Sequence, residues 1–298
     1  MAETGSVRGA ADRLVITQAA VSASLAAMQR SLGLQLARPD GRGLRLTEAG
    51  ETYAAYANRI LGLLEEARLA AAAAADPEQG ELRIAAVTTA AEQVLPGLLS
   101  SFRRANPHTG VLLEAGNRDR VRTLLEHHRV DLAVAGPPEP GWDVRVQAVR
   151  PHALVVVSCP ELAAGSRAAR AAGTDGMLRW LSRQAWLLRE PGSGTRVSSQ
   201  ALLAGLGITP PTLTVGSNGA IRESAAAGLG VTLMSRDAAA QELAAGRLAE
   251  IRVPGTPLHR DWYLLANPGR LPLPAGRLVA HVLRAGEFQA APSSVPQR

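Results

Sequence analysis

Residues 189–196 read REPGSGTR, directly after a short apolar run and directly before a helical pattern. Gly192, Ser193 and Gly194 are small enough to let backbone amides approach a ligand closely. A helix opening at that point adds partial positive charge, so the loop suits an anion. Ser193 and Thr195 offer hydroxyls, and Arg189 or Arg196 can pair with a carboxylate or phosphate. A plain strand-to-helix turn capped by Ser193 accounts for the same residues.

A second cluster lies near the N-terminus, where residues 17–22 read TQAAVS. Val21, Leu25, Met28 and Leu32 follow at spacings of four, three and four, which makes an apolar stripe along one helix and turns Gln18, Ser22 and Gln29 outward. The Gln18 amide matches the donor and acceptor of an adenine edge, and Thr17 and Ser22 reach bases or phosphates. Around them, Arg8, Arg13, Arg30, Arg38, Arg42 and Arg45 face only Asp12 and Asp40 between positions 6 and 46. That local excess points to nucleic acid more strongly than the net charge of +6 spread over 298 residues, in which every basic residue other than histidine is arginine.

Enzyme constellations are missing from the chain. There is no GxSxG, no lysine-bearing phosphate loop and no HExxH. His127 and His128 are neighbours on a helix and cannot face one metal together. Asp131 and Asp143 read as ordinary surface carboxylates. Cys159 is the single cysteine, which excludes an internal disulfide and a cysteine-based zinc cluster and fits a reducing cytoplasm. No catalytic residue, metal or cofactor is called for. Charges, Gly and Pro interrupt every apolar stretch before it reaches the roughly 20 residues that span a membrane, and the N-terminus lacks the pattern of a secretory signal.

The elements that must carry these clusters follow from periodicity. Residues 7–14 and 17–32 form two helical patterns, and Pro39, Gly41 and Gly43 among arginines mark a turn with a small β-wing. A long helix opens at Thr47, a good N-cap with Glu48 in its first turn, and runs to Asp76. Its Tyr53, Tyr56, Ile60, Leu63, Ala67 and Ala70 alternate by three and four, the seam of a coiled coil that implies a partner helix. From Glu81 onward, strands at 82–87, 111–113, 131–135, 154–157, 186–188, 213–215, 231–234 and 262–266 alternate with helices near 96–105, 121–128, 195–204, 220–227 and 275–283. Such alternation predicts βαβ units in two α/β halves, with a ligand cleft at the carboxyl ends of the strands.

The order AADRL, TQAAVS, LG and LTEAG resembles the LysR family of winged helix-turn-helix transcription regulators, and SNGAIRESAAAGLGVTLMS at 217–235 and ELAAGRLAEIRVPG at 242–255 extend the likeness over most of the chain. A weaker similarity points to the subgroup that regulates carbon-fixation operons. The resemblance implies an all-α winged helix-turn-helix head over residues 1–46, a dimerising linker helix over 47–76, and a two-lobed periplasmic-binding-protein-like α/β sensing domain. Lobe I would take 81–157 and 257–285, and lobe II 158–256, with crossings near Ser158 and Gly255. In that family another helix precedes the position of Ala2, so the head is expected to lack its first helix and the native start to lie upstream. A solute-binding or sensor protein without competent DNA binding is the alternative. The resemblance makes Thr17, Gln18, Ser22, Arg38, Arg42 and Arg45 the DNA contacts. It adds Thr88, Thr89, Gly136 and Pro137 as one wall of the effector cleft, facing Arg189, Ser193, Gly194, Thr195 and Arg196. Asn218 joins them either as a ligand contact or as an N-cap. The implied partners are a pseudo-palindromic DNA duplex, a small anionic metabolite and a second or further copy of the chain as homodimer or homotetramer, all in the cytoplasm.

Overall fold

The computed structural model describes residues 2–40, 43–76 and 80–291, and the chain divides into two compact units, Met1–Ala67 and Arg68–Arg298.

In the first unit, helix α1 (Val7–Leu14) is capped by Ser6, whose hydroxyl accepts from Gly9 N at 3.0 Å. A turn follows in which Val15 takes a left-handed conformation at φ 55°, an uncommon state for a β-branched residue. Helix α2 (Gln18–Leu32) is capped by Thr17, and Gly33 closes it in the left-handed region. Strands β1 (Ala37–Asp40) and β2 (Gly43–Leu46) form the wing as an antiparallel pair. Helix α3 (Glu48–Ala75) opens where Thr47 Oγ1 accepts from Gly50 N at 3.0 Å and donates to the Gln35 carbonyl at 2.7 Å. Gly50 is required there, because a Cβ would stand 1.8 Å from the Leu36 carbonyl oxygen.

Two expectations for α2 change. Gln29 does not point outward: its Oε1 accepts from the amides of Leu36 and Ala37 at 2.8 and 3.1 Å, which ties the helix to the start of the wing. The apolar stripe is also only partly covered. Ala10, Ala11 and Val21 are buried together with Val7 against them, whereas Leu32 is 38% exposed.

The second unit begins at Arg68 within α3 and continues with β3 (Gly80–Val87), α4 (Thr88–Gln93), α5 (Leu95–Ala105), β4 (Thr109–Gly116), α6 (Arg118–Glu126), β5 (Leu132–Ala135) and β6 (Arg145–Arg150). The chain continues through β7 (Ala153–Ser158), α7 (Pro160–Ala171), α8 (Gly173–Arg183), β8 (Trp186–Leu188), α9 (Gly194–Gly205), β9 (Thr212–Thr214), α10 (Asn218–Ala226), β10 (Thr232–Ser235), α11 (Arg236–Ala244), β11 (Ala249–Ile251) and β12 (Leu258–His259). It closes with β13 (Trp262–Ala266), α12 (Leu273–Arg284) and β14 (Gln289–Ala290). No helix of the described residues is long and apolar enough to cross a membrane.

Lobe I is a six-stranded sheet in the order β14-β6-β13-β5-β3-β4, parallel around β3 and antiparallel along β13. Its central strands are apolar on both faces. Leu82, Ile84 and Ala86 pack under α5 and α12, and Ala85 packs with the α6 residues Val121, Leu124 and Leu125. Lobe II is built on β7, which pairs antiparallel with β10, β11 and β12. Here Leu154 and Val156 join one apolar cluster while Val155 and Val157 join the other.

The run 154–157 therefore belongs to lobe II, not lobe I, and Leu258 and His259 pair with it there too. The crossings fall at residues 151–152 and 260–261 rather than near Ser158 and Gly255. An apolar run announces a buried strand, but only its partners, Met234 opposite Val155 and Ile251 opposite Val156, decide which sheet takes it. Asp131 is also not a surface carboxylate: it is 8% exposed and pairs with Arg83, accepting from Arg83 N at 2.8 Å and from Nη2 at 2.5 Å.

Candidate functional site

The head presents its polar residues on the first turn of α2. Thr17 holds that turn open, its Oγ1 accepting from Ala20 N at 3.1 Å. Gln18 and Ser22 are exposed beside it, the arrangement with which a second helix enters a major groove. On the wing, Arg38 and Arg45 stand directly opposite each other in the β1–β2 register. Like charges in that position oppose pairing unless a polyanion lies against them. Arg45 Nε lies 3.6 Å from the Asp40 carboxylate, and both side chains are exposed. Arg42 lies outside the described residues.

In the second unit, a cavity of about 50 Å³ opens between the lobes at the carboxyl ends of β3 and β8. Lobe I contributes Thr88, Thr89, Asn117, Arg118 and Gly136, and lobe II contributes Arg189, Ser193, Gly194, Thr195 and Ser235. Thr88 Oγ1 donates to the Gly116 carbonyl at 3.1 Å, which fixes it against the neighbouring strand. Ser193 is 5% exposed and sits at the N-cap position of α9, yet its side chain makes no capping bond. The first turn of α9 therefore has no side-chain cap for its amides.

The arginines of the loop are committed to the protein. Arg189 is buried, and its Nε and Nη2 donate to the Glu190 carboxylate at 2.7 and 2.8 Å, while Nη1 donates to Asn218 Oδ1. Burial pushes the Glu190 carboxyl up, but the bond from Arg189, its own backbone amide and the charges of Arg189 and Arg196 outweigh this and hold it below its ordinary value. Arg196 lies outside the cavity lining and donates to the Arg189 carbonyl at 2.6 Å and to Thr214 Oγ1 at 3.2 Å. Pro137 is likewise outside the lining, and its carbonyl accepts from Arg118 Nη2 at 3.1 Å.

Asn218 does not cap α10. Ser217 does so, accepting from Ala220 N, and Asn218 is buried one residue further on, reaching across the cleft to Thr89.

Several lining residues have no local sequence signal. His152 stands at the first crossover, stacked on Trp262 with ring centroids 4.0 Å apart, its Nδ1 bonded to the Arg260 carbonyl at 3.0 Å and its Nε2 to Ser235 Oγ at 2.9 Å. Arg260 stands at the second crossover and lines the same cavity. These two residues also share a backbone bond, Arg260 N donating to the His152 carbonyl at 2.8 Å, so the two crossing segments are laced together.

The chain is similar to known proteins in sequence and fold. Residues 1–51 match the bacterial regulatory helix-turn-helix protein family of lysR type, and residues 75–287 match the LysR substrate binding domain. The HTH-type transcriptional regulator CbbR of Xanthobacter flavus is 33% identical over 285 residues, which cover 95% of this chain and 84% of that protein. The regulatory domain of Synechocystis PCC6803 CcmR, solved in complex with 2-PG, is 26% identical and superposes with a TM-score of 0.60 over 70% of this chain and 97% of that one. Full-length CbnR complexed with its target DNA has a TM-score of 0.61 at 23% identity, covers 95% of both chains and shares the fold. With both family models matched in sequence order and a regulator similar along nearly its whole length, the chain belongs to the LysR family of helix-turn-helix transcription regulators.

Proposed function

We propose that the chain is a cytoplasmic regulator that binds a pseudo-palindromic DNA duplex through Thr17, Gln18, Ser22 and the wing arginines, and that a small anionic metabolite held between the lobes controls it. The observation that carries this reading is a cavity lined from both lobes at once. A ligand seated there touches Thr88 and Thr89 on one side and Ser193 to Thr195 on the other, so its binding energy favours one relation between the lobes over others, which is what a switch requires. The family's activity is regulation of transcription and not catalysis.

Self-association follows from α3. Tyr56, Ile60 and Leu63 are 61%, 57% and 47% exposed along one three-four seam, an apolar stripe that a second copy of the helix would cover. Two half-sites in a duplex need two heads, so the working unit is a homodimer or homotetramer.

The 2-PG bound by the Synechocystis domain is the first compound to test. In a mobility-shift and footprinting experiment with the full chain and the DNA flanking its own gene, 2-PG or a related anion is expected to change the affinity or the protected length. Retention that weakens steeply with salt is expected of the arginine contacts. A chain that retains no duplex even at about 50 mM salt would remove the DNA-binding reading.

A further inference from the structure

Arg260, between β12 and β13, passes its guanidinium through a gap between two glycines of opposite lobes. An ideal Cβ on Gly136 would stand 2.8 Å from Nη2, and one on Gly194 would stand 2.9 Å from the same atom. Neither glycine has a positive φ, so what each supplies is room for the arginine. Nη1 is held by the Gly194 carbonyl at 2.6 Å and by Ser198 Oγ at 2.8 Å. Nε and Nη2 meet no acceptor, and no carboxylate pairs with the group, among the described residues.

This sets Arg260 apart from the other cations of the cavity. Arg189 is neutralised by Glu190, and Arg118 Nη1 lies 2.9 Å from Glu139. Burial first, and then the nearby positive charge of Arg118, hold the Arg260 pKa below its ordinary value. A cation in such a place is stabilised by any anion that enters. The cavity wall beside Gly194 is also receptive, since the buried Ser193 makes no capping bond and α9 has no side-chain cap.

We propose that Arg260 is the cation that pairs with the ligand, its Nε and Nη2 taking a carboxylate or phosphate group that Ser193 and the first amides of α9 hold from the other side. This rests on reading the interlobe cleft as the effector site. The size of the cavity supports a small group at this point: a single water needs about 10–15 Å³, so about 50 Å³ has room for an anionic head between Arg260 and Ser193. Arg260 is thus a specificity-determining residue, and Arg189 and Arg196 shape the loop instead of holding the ligand.

The test uses the full chain and inorganic phosphate as probe, with glycerol as the uncharged control, followed by thermal shift and calorimetric titration. The wild type is expected to be stabilised by phosphate and not by glycerol. Arg260→Gln is expected to bind phosphate at least about tenfold more weakly, since it loses a charge-assisted pair. Arg260→Lys keeps the charge and still threads the gap, but it lacks the planar fork and should bind several-fold more weakly. It carries the test should the Gln variant fail to fold. A folded variant of either kind that binds phosphate as the wild type does overturns the role of Arg260, and a wild type that phosphate does not stabilise overturns the anion class. If instead Thr88→Tyr, which fills the cavity, leaves phosphate binding intact, the cleft is not the site and the underlying reading fails with the proposal.

Discussion

The side-chain amide of Asn218 donates to Thr89 Oγ1 at 2.9 Å and so bridges α10 of one lobe to α4 of the other. Its Nδ2 also lies 3.4 Å from Glu92 Oε2, and its Oδ1 accepts from Arg189. A neutral bond of this kind contributes about 0.5–1.5 kcal/mol. Asn218→Ala is therefore expected to weaken anion binding roughly two- to tenfold by favouring parted lobes. It should also lower stability by about 1–3 kcal/mol, because the buried Arg189 loses an acceptor. Calorimetric titration with phosphate and urea denaturation read the two effects separately. Unchanged phosphate affinity would show that the bridge does not hold the ligand-binding arrangement.

Arg196 is the residue on which spacing and structure differ most. Its guanidinium braces the turn by donating to the Arg189 carbonyl and to Thr214, so Arg196→Ala should cost about 1 kcal/mol of stability and leave the ligand response in place. Loss of the phosphate-induced shift at unchanged stability would put Arg196 back in the site.

The difference between these arginines and Arg260 marks where local pattern stops being informative. Caps and periodicity act within a few residues, so Thr17 and Thr47 placed the starts of α2 and α3, and apolar runs placed strands such as Trp186–Leu188 and Trp262–Ala266. The glycine-serine loop also lies on the cavity wall, as its composition suggested. Partner choice is non-local. Glu190 captures Arg189 from the adjacent position, while Arg260 reaches Gly194 from 66 residues away. Likewise nothing in the spacing of α2 reveals that Gln29 turns inward to serve the wing amides, and the apolar run of β7 fits either lobe until its antiparallel partners are known.

Gln18, exposed at the start of α2, is expected to read a base edge where Arg38 and Arg45 read only phosphate. Gln18→Ala should lose about 1–3 kcal/mol on the cognate duplex and almost nothing on a scrambled one. Mobility-shift titrations on both duplexes at one fixed salt concentration measure this. An equal loss on the two sequences would make Gln18 a backbone contact.

His152 supplies a pH dependence whose sign is fixed by its surroundings. A carbonyl can only accept, so Nδ1 carries the proton shared with the Arg260 carbonyl, and Nε2 accepts from the Ser235 hydroxyl. Burial holds the ring neutral and its pKa below the ordinary value, against the smaller opposing pulls of the Arg260 carbonyl and the charge of Asp237. In the unfolded chain the same ring takes up a proton near pH 6.5. Between that value and the lower folded one the unfolded state binds more protons, so its stability contribution is complete above about pH 6.5 and is lost as the pH falls through the folded value. Urea midpoints measured from about pH 7.5 down to 5 should therefore fall more steeply for the wild type than for His152→Gln, whose amide can still donate to the Arg260 carbonyl and accept from Ser235 but does not titrate. Parallel curves for the two proteins would show that another group sets the acid limit.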